Sequence, residues 1–262
     1  MEEFALLGIA AAIVGFVTAG LKIRFDRFFS LILLVMLVGV QVKDAVNMTL
    51  WVILSGSAYV LYSNMKELSA MPKEQLAKRI LAILALAGVF SYIGSYIYSI
   101  VAPAVLVLAL SALALLYGLR LIFIHFSVAE MNHQGNAAFE KFCAIFGPSI
   151  SGLSMGFIGT SLKPLKIPFA VRIGKLPMKK VYAGNVMTAF IAALLAIIWH
   201  STLFQQGQFA QELIYGMAFF AVAHIAYELT MLKFREEWRN SFQVAIGIIL
   251  AIVSVRLALF AL

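Results

Sequence analysis

Apolar residues in this chain are gathered into long runs that charged residues, glycines and prolines separate. A helix that crosses the hydrocarbon core of a bilayer needs about 20 residues. Eight of the ten runs come close to that length, and two fall short. The runs are 4–21, 28–42, 45–64, 77–99, 102–124, 142–162, 164–176, 180–200, 210–232 and 239–261. The pattern predicts an all-α integral membrane protein of about ten segments: eight full spans, and two short or broken segments at 28–42 and 164–176.

The composition is typical of a chain whose solvent is mostly lipid. Of the 262 residues, 63% are hydrophobic and 12% are charged, whereas soluble domains average roughly 45–50% and 25%. These values argue against a soluble enzyme, a secreted disulfide scaffold, a disordered tail and a nucleic-acid-binding protein. Cys143 has no mate for an internal disulfide. Because the longest stretch between two runs, 125–141, is too short for a soluble domain, we expect the function within or at the membrane.

The basic residues orient the chain. If the N-terminus lies outside and all ten runs cross, 16 of the 20 Lys and Arg residues fall in cytoplasmic loops, as the positive-inside rule requires. The exceptions are Lys43, Lys163, Lys166 and Arg256. The net charge of +8 is therefore a topology signal. The opening letters MEE lack the positive n-region of a signal peptide, so we expect a multi-pass protein of the cell membrane with the first run retained and both termini outside.

The two halves of the chain match each other at an offset of 136 residues. GFVTAGLKIRF, from Gly15, aligns with SGLSMGFIGTS, and KDAVNMTLWVI, from Lys43, aligns with KKVYAGNVMTA. Apolar helices also match by chance, but each copy has the same order of full helix, glycine-punctuated break, short segment and full helix. Five segments separate equivalent positions, so the copies have opposite orientations, as in many secondary transporters. We expect a first repeat at 1–126, a cytoplasmic linker at 127–141 and a second repeat at 142–262.

This topology predicts the accessibility of two loops. Cysteines introduced at Ala70 and Gln205, with Cys143 replaced by serine, should react with a membrane-impermeant maleimide from opposite sides of the membrane. Intact and permeabilised cells distinguish the two sides. Labelling of both positions from one side would rule out the inverted arrangement.

A glycine-punctuated first helix, a short second segment and a lysine-x-alanine start to the third resemble the sulfite exporter TauE/SafE family of anion permeases. The resemblance covers most of the chain, most clearly 10–64 and 145–200. Where that family has a Gly-Gly-Gly turn, this chain has LKIR in the first copy and FIGTS in the second. The resemblance implies a permease for sulfite or a small organosulfonate such as taurine, sulfoacetate or sulfolactate, moving with the proton gradient.

Polar side chains near the two breaks are the candidates for binding such an anion. Broken helices expose N–H groups and positive dipole ends, and nearby polar and basic side chains complete the shell of the anion. The candidates are Lys22, Arg24, Asn47 and Thr49 in the first copy, and Thr160, Ser161, Lys163, Asn185 and Thr188 in the second. We expect alternating access around a midplane site that the breaks near 20–28 and 156–166 form.

The basic candidates also have a structural interpretation. Lys22, Arg24 and Arg27 fit equally as topology-setting charges that extend to the lipid headgroups. Lys163 and Lys166 lie on the side where basic residues are otherwise rare, which favours substrate contact as much as a structural role.

Polar residues within the apolar runs leave similar alternatives. Asn47 and Asn185 fit as hydrogen-bonding contacts between helices as well as substrate ligands. Glu228 lies four residues after His224 on one helix face, and the pair is either structural or the site of proton coupling. Asp44 is better explained as an interfacial cap.

Other classes of function have less support. The four histidines show no metal-ligand spacing with Cys143 or a carboxylate, and we expect no cofactor and no metal. Ser154 with His200 or His224 superficially resembles an intramembrane serine protease, but no base or oxyanion hole is indicated by the spacing, so no enzyme is expected. The alternatives to transport are a non-transporting membrane assembly or scaffold protein and an anion channel. The expected partners are a small anion and the bilayer, with no nucleic acid; a homo-oligomer is compatible with the composition.

Overall fold

The computed structural model describes residues 2–22, 28–63, 73–124, 137–203 and 209–261. Within these ranges the regular elements are all helices, with no strand. The candidate Arg24, residues 127–136 of the expected linker and the two labelling positions, 70 and 205, lie outside the described residues. The remaining linker residues, 137–141, are helical.

Each apolar run corresponds to one helix in the described part of the chain. The helices are α1 (Glu2–Gly20), α2 (Phe28–Leu33, continued by a π-helical turn at Leu34–Val38), α3 (Val42–Ser63), α4 (Lys73–Ile100), α5 (Pro103–Phe123), α6 (Ala137–Ile158), α7 (Lys163–Pro168, continued by a π-helical turn at Phe169–Ile173), α8 (Met178–Leu203), α9 (Phe209–Lys233) and α10 (Arg239–Ala261). Helices suit these apolar sequences because a helix satisfies its backbone hydrogen bonds within one segment, as a bilayer requires.

Seven helices, α3 to α6 and α8 to α10, are long and apolar enough to cross a membrane by length and composition. Shorter apolar stretches are formed by Phe4–Gly20 in α1 and by Phe28–Val38 in α2 and its π-helical turn. Many large apolar side chains on the long helices are exposed, Leu232 and Phe260 among them, which suits helices whose outer faces contact lipid. Within the described residues the predicted all-helical class is confirmed, and the seven long apolar helices are compatible with the predicted multi-pass membrane protein.

The helices are grouped in two compact units, each assembled from separate parts of the chain. The first unit covers Met1–Val52, Val101–His125 and Gly207–Leu262, and the second covers Ile53–Ile100 and Phe126–Gln206. In the first unit α1 packs along α9, and α5 packs along α10. In the second unit α6 packs along α4, and α8 contacts both. The first helix of each predicted repeat therefore packs on the fourth helix of the other.

Glycines bring α4 and α6 into close contact in the second unit. A Cβ atom on Gly152 would lie 2.6 Å from the carbonyl oxygen and 2.9 Å from the Cα atom of Ala87. Gly156 lies in the same way against the backbone of Ser91 and Ser95. Small residues at such positions allow helix backbones in membrane proteins to pack directly on one another.

Left-handed backbone conformations follow the first helix of each copy. Lys22, after α1, has φ of 53°, and Gly159 and Leu162, after α6, have φ of 64° and 49°. Gly159 adopts this conformation without steric cost and ends α6, whereas Leu162 does so against its preference. Pro164 then fits the first turn of α7, where its missing N–H group costs no helical hydrogen bond.

Both short segments end in a π-helical turn, at Leu34–Val38 and Phe169–Ile173. A glycine, Gly39 or Gly174, follows each turn. Single π-helical turns within α-helices are frequent at functional sites. The two turns lie within one residue of equivalent positions at the 136-residue offset.

Candidate functional site

The second unit contains a cavity of about 660 Å³ that α7 and parts of α4, α6 and α8 enclose. We call it the basic cavity. Its polar lining residues are Arg79, Glu140, Cys143, Lys166, Asn185 and Thr188. The N-terminal ends of α4, α6 and α8 fall on the cytoplasmic side under the positive-inside rule, so we expect this cavity to open towards the cytoplasm.

Three of these side chains carry hydrogen-bond donors suited to an anion. The guanidinium group of Arg79 lies against the backbone of Gly184. The ammonium group of Lys166 donates to the hydroxyl oxygen of Ser151, and such a group has three donor hydrogens in all. The buried Nδ2 atom of Asn185 has no hydrogen-bond partner among the described residues. Because a buried donor without a partner is costly, Asn185 favours a ligand with acceptor oxygens.

Thr188 marks the depth of the basic cavity. It lies ten residues after Met178, the first residue of α8, which is about 15 Å along a helix axis and roughly half of a 30 Å hydrocarbon core. Its hydroxyl group donates to the carbonyl oxygen of Gly184 at 2.9 Å. The cavity therefore extends from the start of α8 towards the middle of that helix.

Lys163 adds a second buried ammonium group beside the cavity. It is 8% exposed, and its Nζ atom lies 4.2 Å from the ring centroid of Tyr182. The face of an aromatic ring attracts a cation, and this contact offsets part of the cost of burying Lys163.

The other candidates of the second copy are near α7 but are not lining residues. Thr160 and Ser161 are buried in the stretch between α6 and α7. Of the five candidates predicted in this copy, Asn185 and Thr188 line the basic cavity. Thr160, Ser161 and Lys163 pack in the same unit behind its lining.

The first unit contains a second cavity, of about 570 Å³, which we call the acidic cavity. It is lined by Phe4, Leu7, Val38, Gly39, Val40, Asp44, Met48, Gln211, Glu212 and Tyr215. Asn47 lies beside it, and its Nδ2 atom donates to Oε1 of Glu212 at 3.1 Å. The N-terminal ends of α1, α3 and α9 fall outside under the positive-inside rule, so we expect this cavity to open on the outer side.

The two cavities occupy equivalent places in the two sequence copies. At the 136-residue offset, five lining positions of one cavity correspond to five of the other: Phe4 to Glu140, Leu7 to Cys143, Val40 to Leu176, Met48 to Gly184, and Tyr215 reciprocally to Arg79. At the paired positions Arg79 is basic where Tyr215 is neutral, and Glu140 is acidic where Phe4 is apolar. The other charged lining residues, Lys166 in one cavity and Asp44 and Glu212 in the other, have no lining counterpart at this offset.

The remaining candidates of the first copy make local contacts. Lys22 forms an ion pair with Glu236, and about half of its side chain is exposed, a position that fits a charge at the membrane surface. Thr49 is buried and donates to the carbonyl oxygen of Ala45 at 2.7 Å. Neither residue lines a cavity that the structure describes.

The proposed proton-coupling pair lies on α9, with the side chain of His224 21% exposed. The Nδ1 atom of His224 is 3.8 Å from Oε1 of Glu228, as their spacing on one helix face predicts. The side chain of Glu228 is 56% exposed. The pair is formed, and it lies outside the lining of both cavities.

Ser154 and His200 are engaged in helix packing in the second unit. The hydroxyl group of Ser154 donates to the carbonyl oxygen of Ser151 at 3.2 Å. The Nε2 atom of His200 lies 2.8 Å from the carbonyl oxygen of Gly156, and its ring stacks on Tyr98 with centroids 4.3 Å apart. These contacts use the same α4 and α6 surfaces that the glycines bring together.

Arg79 and Glu212 are lining residues that sequence reasoning did not select. Arg79 is one of several basic residues in a cytoplasmic loop cluster, and Glu212 follows a polar loop in which a carboxylate is ordinary. Both lie in the first turns of the fourth helix of a copy. The 136-residue offset is the sequence signal that relates these two residues. When it is applied to the fourth helices as well as to the breaks, it pairs the start of the helix that carries Arg79 with the start of the helix that carries Glu212.

The chain matches no protein-family model, no curated protein and no solved structure. The resemblance to the TauE/SafE permeases therefore stays a prediction that rests on the residues quoted for it.

Proposed function

We propose that this protein is a secondary transporter that moves a small anion across the membrane and binds it in the basic cavity. The observation that carries the proposal is that Arg79, Lys166 and the buried amide of Asn185 line one cavity. Their donors come from three different elements, α4, α7 and α8. Polar and ionisable groups inside a membrane are costly, and they mark substrate pathways when they line a cavity.

The charges around the cavity favour an anionic ligand. Arg79 and Lys166 line it together with one carboxylate, Glu140, and the buried Lys163 adds a further positive charge. A bound anion offsets the cost of burying these positive charges and accepts hydrogen bonds from the donors. The volume of about 660 Å³ accommodates a C2 organosulfonate together with water.

The equivalence of the two cavities supports transport by alternating access. Each lies where the first, short and third segments of one copy meet the fourth helix of the other. In transporters with inverted repeats, sites lie at broken segments near the repeat interface, and one repeat moves against the other. The π-helical turns after α2 and α7 are features of this kind in both copies. We therefore propose two inverted five-segment repeats and ten membrane segments.

Uptake into proteoliposomes tests the function. We expect the purified protein to take up at least one of labelled sulfite, taurine and sulfoacetate, the substrate class that the TauE/SafE resemblance implies. Uptake should saturate with concentration and should rise when the vesicles are preloaded with the unlabelled anion. Ethanolamine, a C2 cation of similar size to taurine, is the control solute and should not be taken up.

The same assay separates the alternatives. Acceleration by preloaded anion requires a binding site that is exposed to each side in turn, so a channel would conduct without it. A scaffold or assembly protein would leave the vesicles as impermeable as empty liposomes. Absence of uptake for all three anions, with protein shown to be folded in the vesicles, would contradict the proposed function.

A further inference from the structure

We propose that the carboxyl group of Glu212, in the acidic cavity of the first unit, takes up and releases the proton that moves with the anion. This inference rests on the proposed function, since it assigns the coupling site of the same transporter. It differs from the prediction for Glu228 and His224, which line neither cavity.

Glu212 is the carboxylate that the structure buries. It is 9% exposed, and among the described residues it is the only Asp or Glu whose side chain is buried. It also lines a cavity of about 570 Å³, so a proton can reach it through water. A buried carboxylate within a membrane segment is a functional-site hypothesis by default, and proton relays in pumps and transporters are built from such residues.

The hydrogen bond from Asn47 fits both protonation states of Glu212. The Nδ2 atom of Asn47 donates to Oε1 at 3.1 Å, which leaves Oε2 available. A proton that binds Oε2 converts the carboxylate to a carboxylic acid, and Oε1 still accepts from Asn47 as the carbonyl oxygen. Loss of the proton restores the carboxylate with the same contact. The carboxyl group can therefore change its charge while its position on α9 is maintained.

The lining of the acidic cavity favours a proton over the transported anion. Its charged or titratable residues, within the described part of the chain, are Asp44 on α3 and Glu212 and Tyr215 on α9. The lining residues from α1 are Phe4 and Leu7, and those after α2 are apolar residues and a glycine. With carboxylates and without a lining Lys or Arg among the described residues, this cavity attracts cations and repels anions.

A proton suits this site better than a metal cation. Hard cations are held by about six or more oxygen ligands. The amide nitrogen of Asn47 is directed at Glu212, so Asn47 presents a donor to this carboxylate, where a metal cation would need acceptors. A single proton needs only the free oxygen of one carboxylate.

Because the two cavities correspond in position, their difference in charge assigns a different ion to each. The position that holds Arg79 in the basic cavity holds Tyr215 in the acidic one, and Glu212 lies one turn before Tyr215 on α9. Two enclosures that the proposed repeat relates are thus divided between two ions, the anion in the second unit and the proton in the first. Coupling of opposite charges lowers the net charge that moves in each cycle.

The experiment compares two transport modes in proteoliposomes with the anion that the wild-type protein moves best. One mode is uptake driven by a pH gradient of either sign, with a trapped pH indicator reporting proton movement. The other is exchange of labelled for unlabelled anion at equal pH, which needs no net proton movement. Glu212→Gln keeps an oxygen for Asn47 and mimics the protonated acid; Glu228→Gln is the matched control on the same helix.

We expect Glu212→Gln to retain exchange and to lose both the effect of the pH gradient and the proton signal, whereas Glu228→Gln keeps them. Glu212→Asp, which retains a carboxyl group, should keep coupling. If the wild-type protein exchanges anions but ignores the pH gradient, or if Glu212→Gln stays coupled, the inference is wrong while the proposed function stands. Loss of exchange together with coupling in Glu212→Gln would assign it a structural role and overturn the inference. Lack of anion transport by the wild-type protein would overturn both.

Discussion

Lys166→Gln should abolish most anion uptake at concentrations near the KM of the wild-type protein. Lys166 lines the basic cavity and has donor hydrogens beyond the one it gives to Ser151. A hydrogen bond between charged groups contributes roughly 1.5–3 kcal/mol, so the KM should rise about 10- to 100-fold. Initial rates of uptake over a range of anion concentrations, normalised to reconstituted protein, measure this change.

Lys175→Gln is the matched control for this substitution. Lys175 is exposed in the stretch after the second π-helical turn, so removal of its charge should leave the KM nearly unchanged. The assignment of the anion to the basic cavity would be contradicted if Lys166→Gln, Lys163→Ala and Asn185→Ala all transported like the wild-type protein. Loss of rate without a change in KM for Lys166→Gln would instead indicate a role in the conformational cycle.

Gly152→Val should lower the melting temperature of the detergent-solubilised protein by roughly 6–12 °C, because overpacking of a tight contact costs up to about 3 kcal/mol. The new side chain would meet the carbonyl oxygen and Cα atom of Ala87, which are backbone atoms and cannot rotate away. Relief therefore requires α4 and α6 to separate, and glycines of both helices, Gly94, Gly152 and Gly156, lie against the backbone of the other helix. Intrinsic fluorescence during heating, with gel filtration beforehand, gives the measurement.

Gly8→Val, inside α1, controls for the change in helix propensity. A Cβ atom at Gly8 has no heavy atom within 4 Å among its described neighbours, so this variant should melt within a few degrees of the wild-type protein. Equal melting temperatures for the two variants would show that the α4–α6 contact tolerates separation. The contact would then not explain the glycine at position 152.

The helices were predictable from local information. Each apolar run became a helix because burial in lipid requires every backbone group to be satisfied within its own segment, and that requirement does not depend on neighbours. The breaks were predictable for the same reason. Gly159 and Pro164 impose backbone conformations that end one helix and begin the next. The π-helical turns that end both short segments had no signal in the sequence analysis.

The basic cavity was predictable only in part. Asn185 and Thr188 were identified because the repeat placed them in the first turns of a third helix, and they line the cavity. Lys166 was noted as a basic residue on the sparsely charged side. Arg79 was assigned to a cytoplasmic charge cluster, since its distance of more than 80 residues from Lys166 along the chain hides their proximity.

Glu212 shows most clearly that local sequence patterns do not predict which side chains are buried. In sequence it is a carboxylate at a helix start, a common and usually solvated position. Glu228, deep in an apolar run, had the stronger sequence signal, yet its side chain is 56% exposed, whereas Glu212 is buried against Asn47. Burial of a side chain on a membrane helix depends on which face a neighbouring helix covers, and apolar residues surround lipid-facing and protein-facing positions alike.

The sequence by itself determined that this is a helical membrane protein, where its helices lie and where two of them are broken, because these properties follow from hydrophobic length and backbone preference. Only the tertiary structure decided that the first helix of each copy packs on the fourth helix of the other. This packing brings Arg79 and Lys166 together at one cavity, and Asn47 and Glu212 together at the other. Contacts between distant segments depend on the complementary shapes of helix surfaces, which no single run of residues specifies.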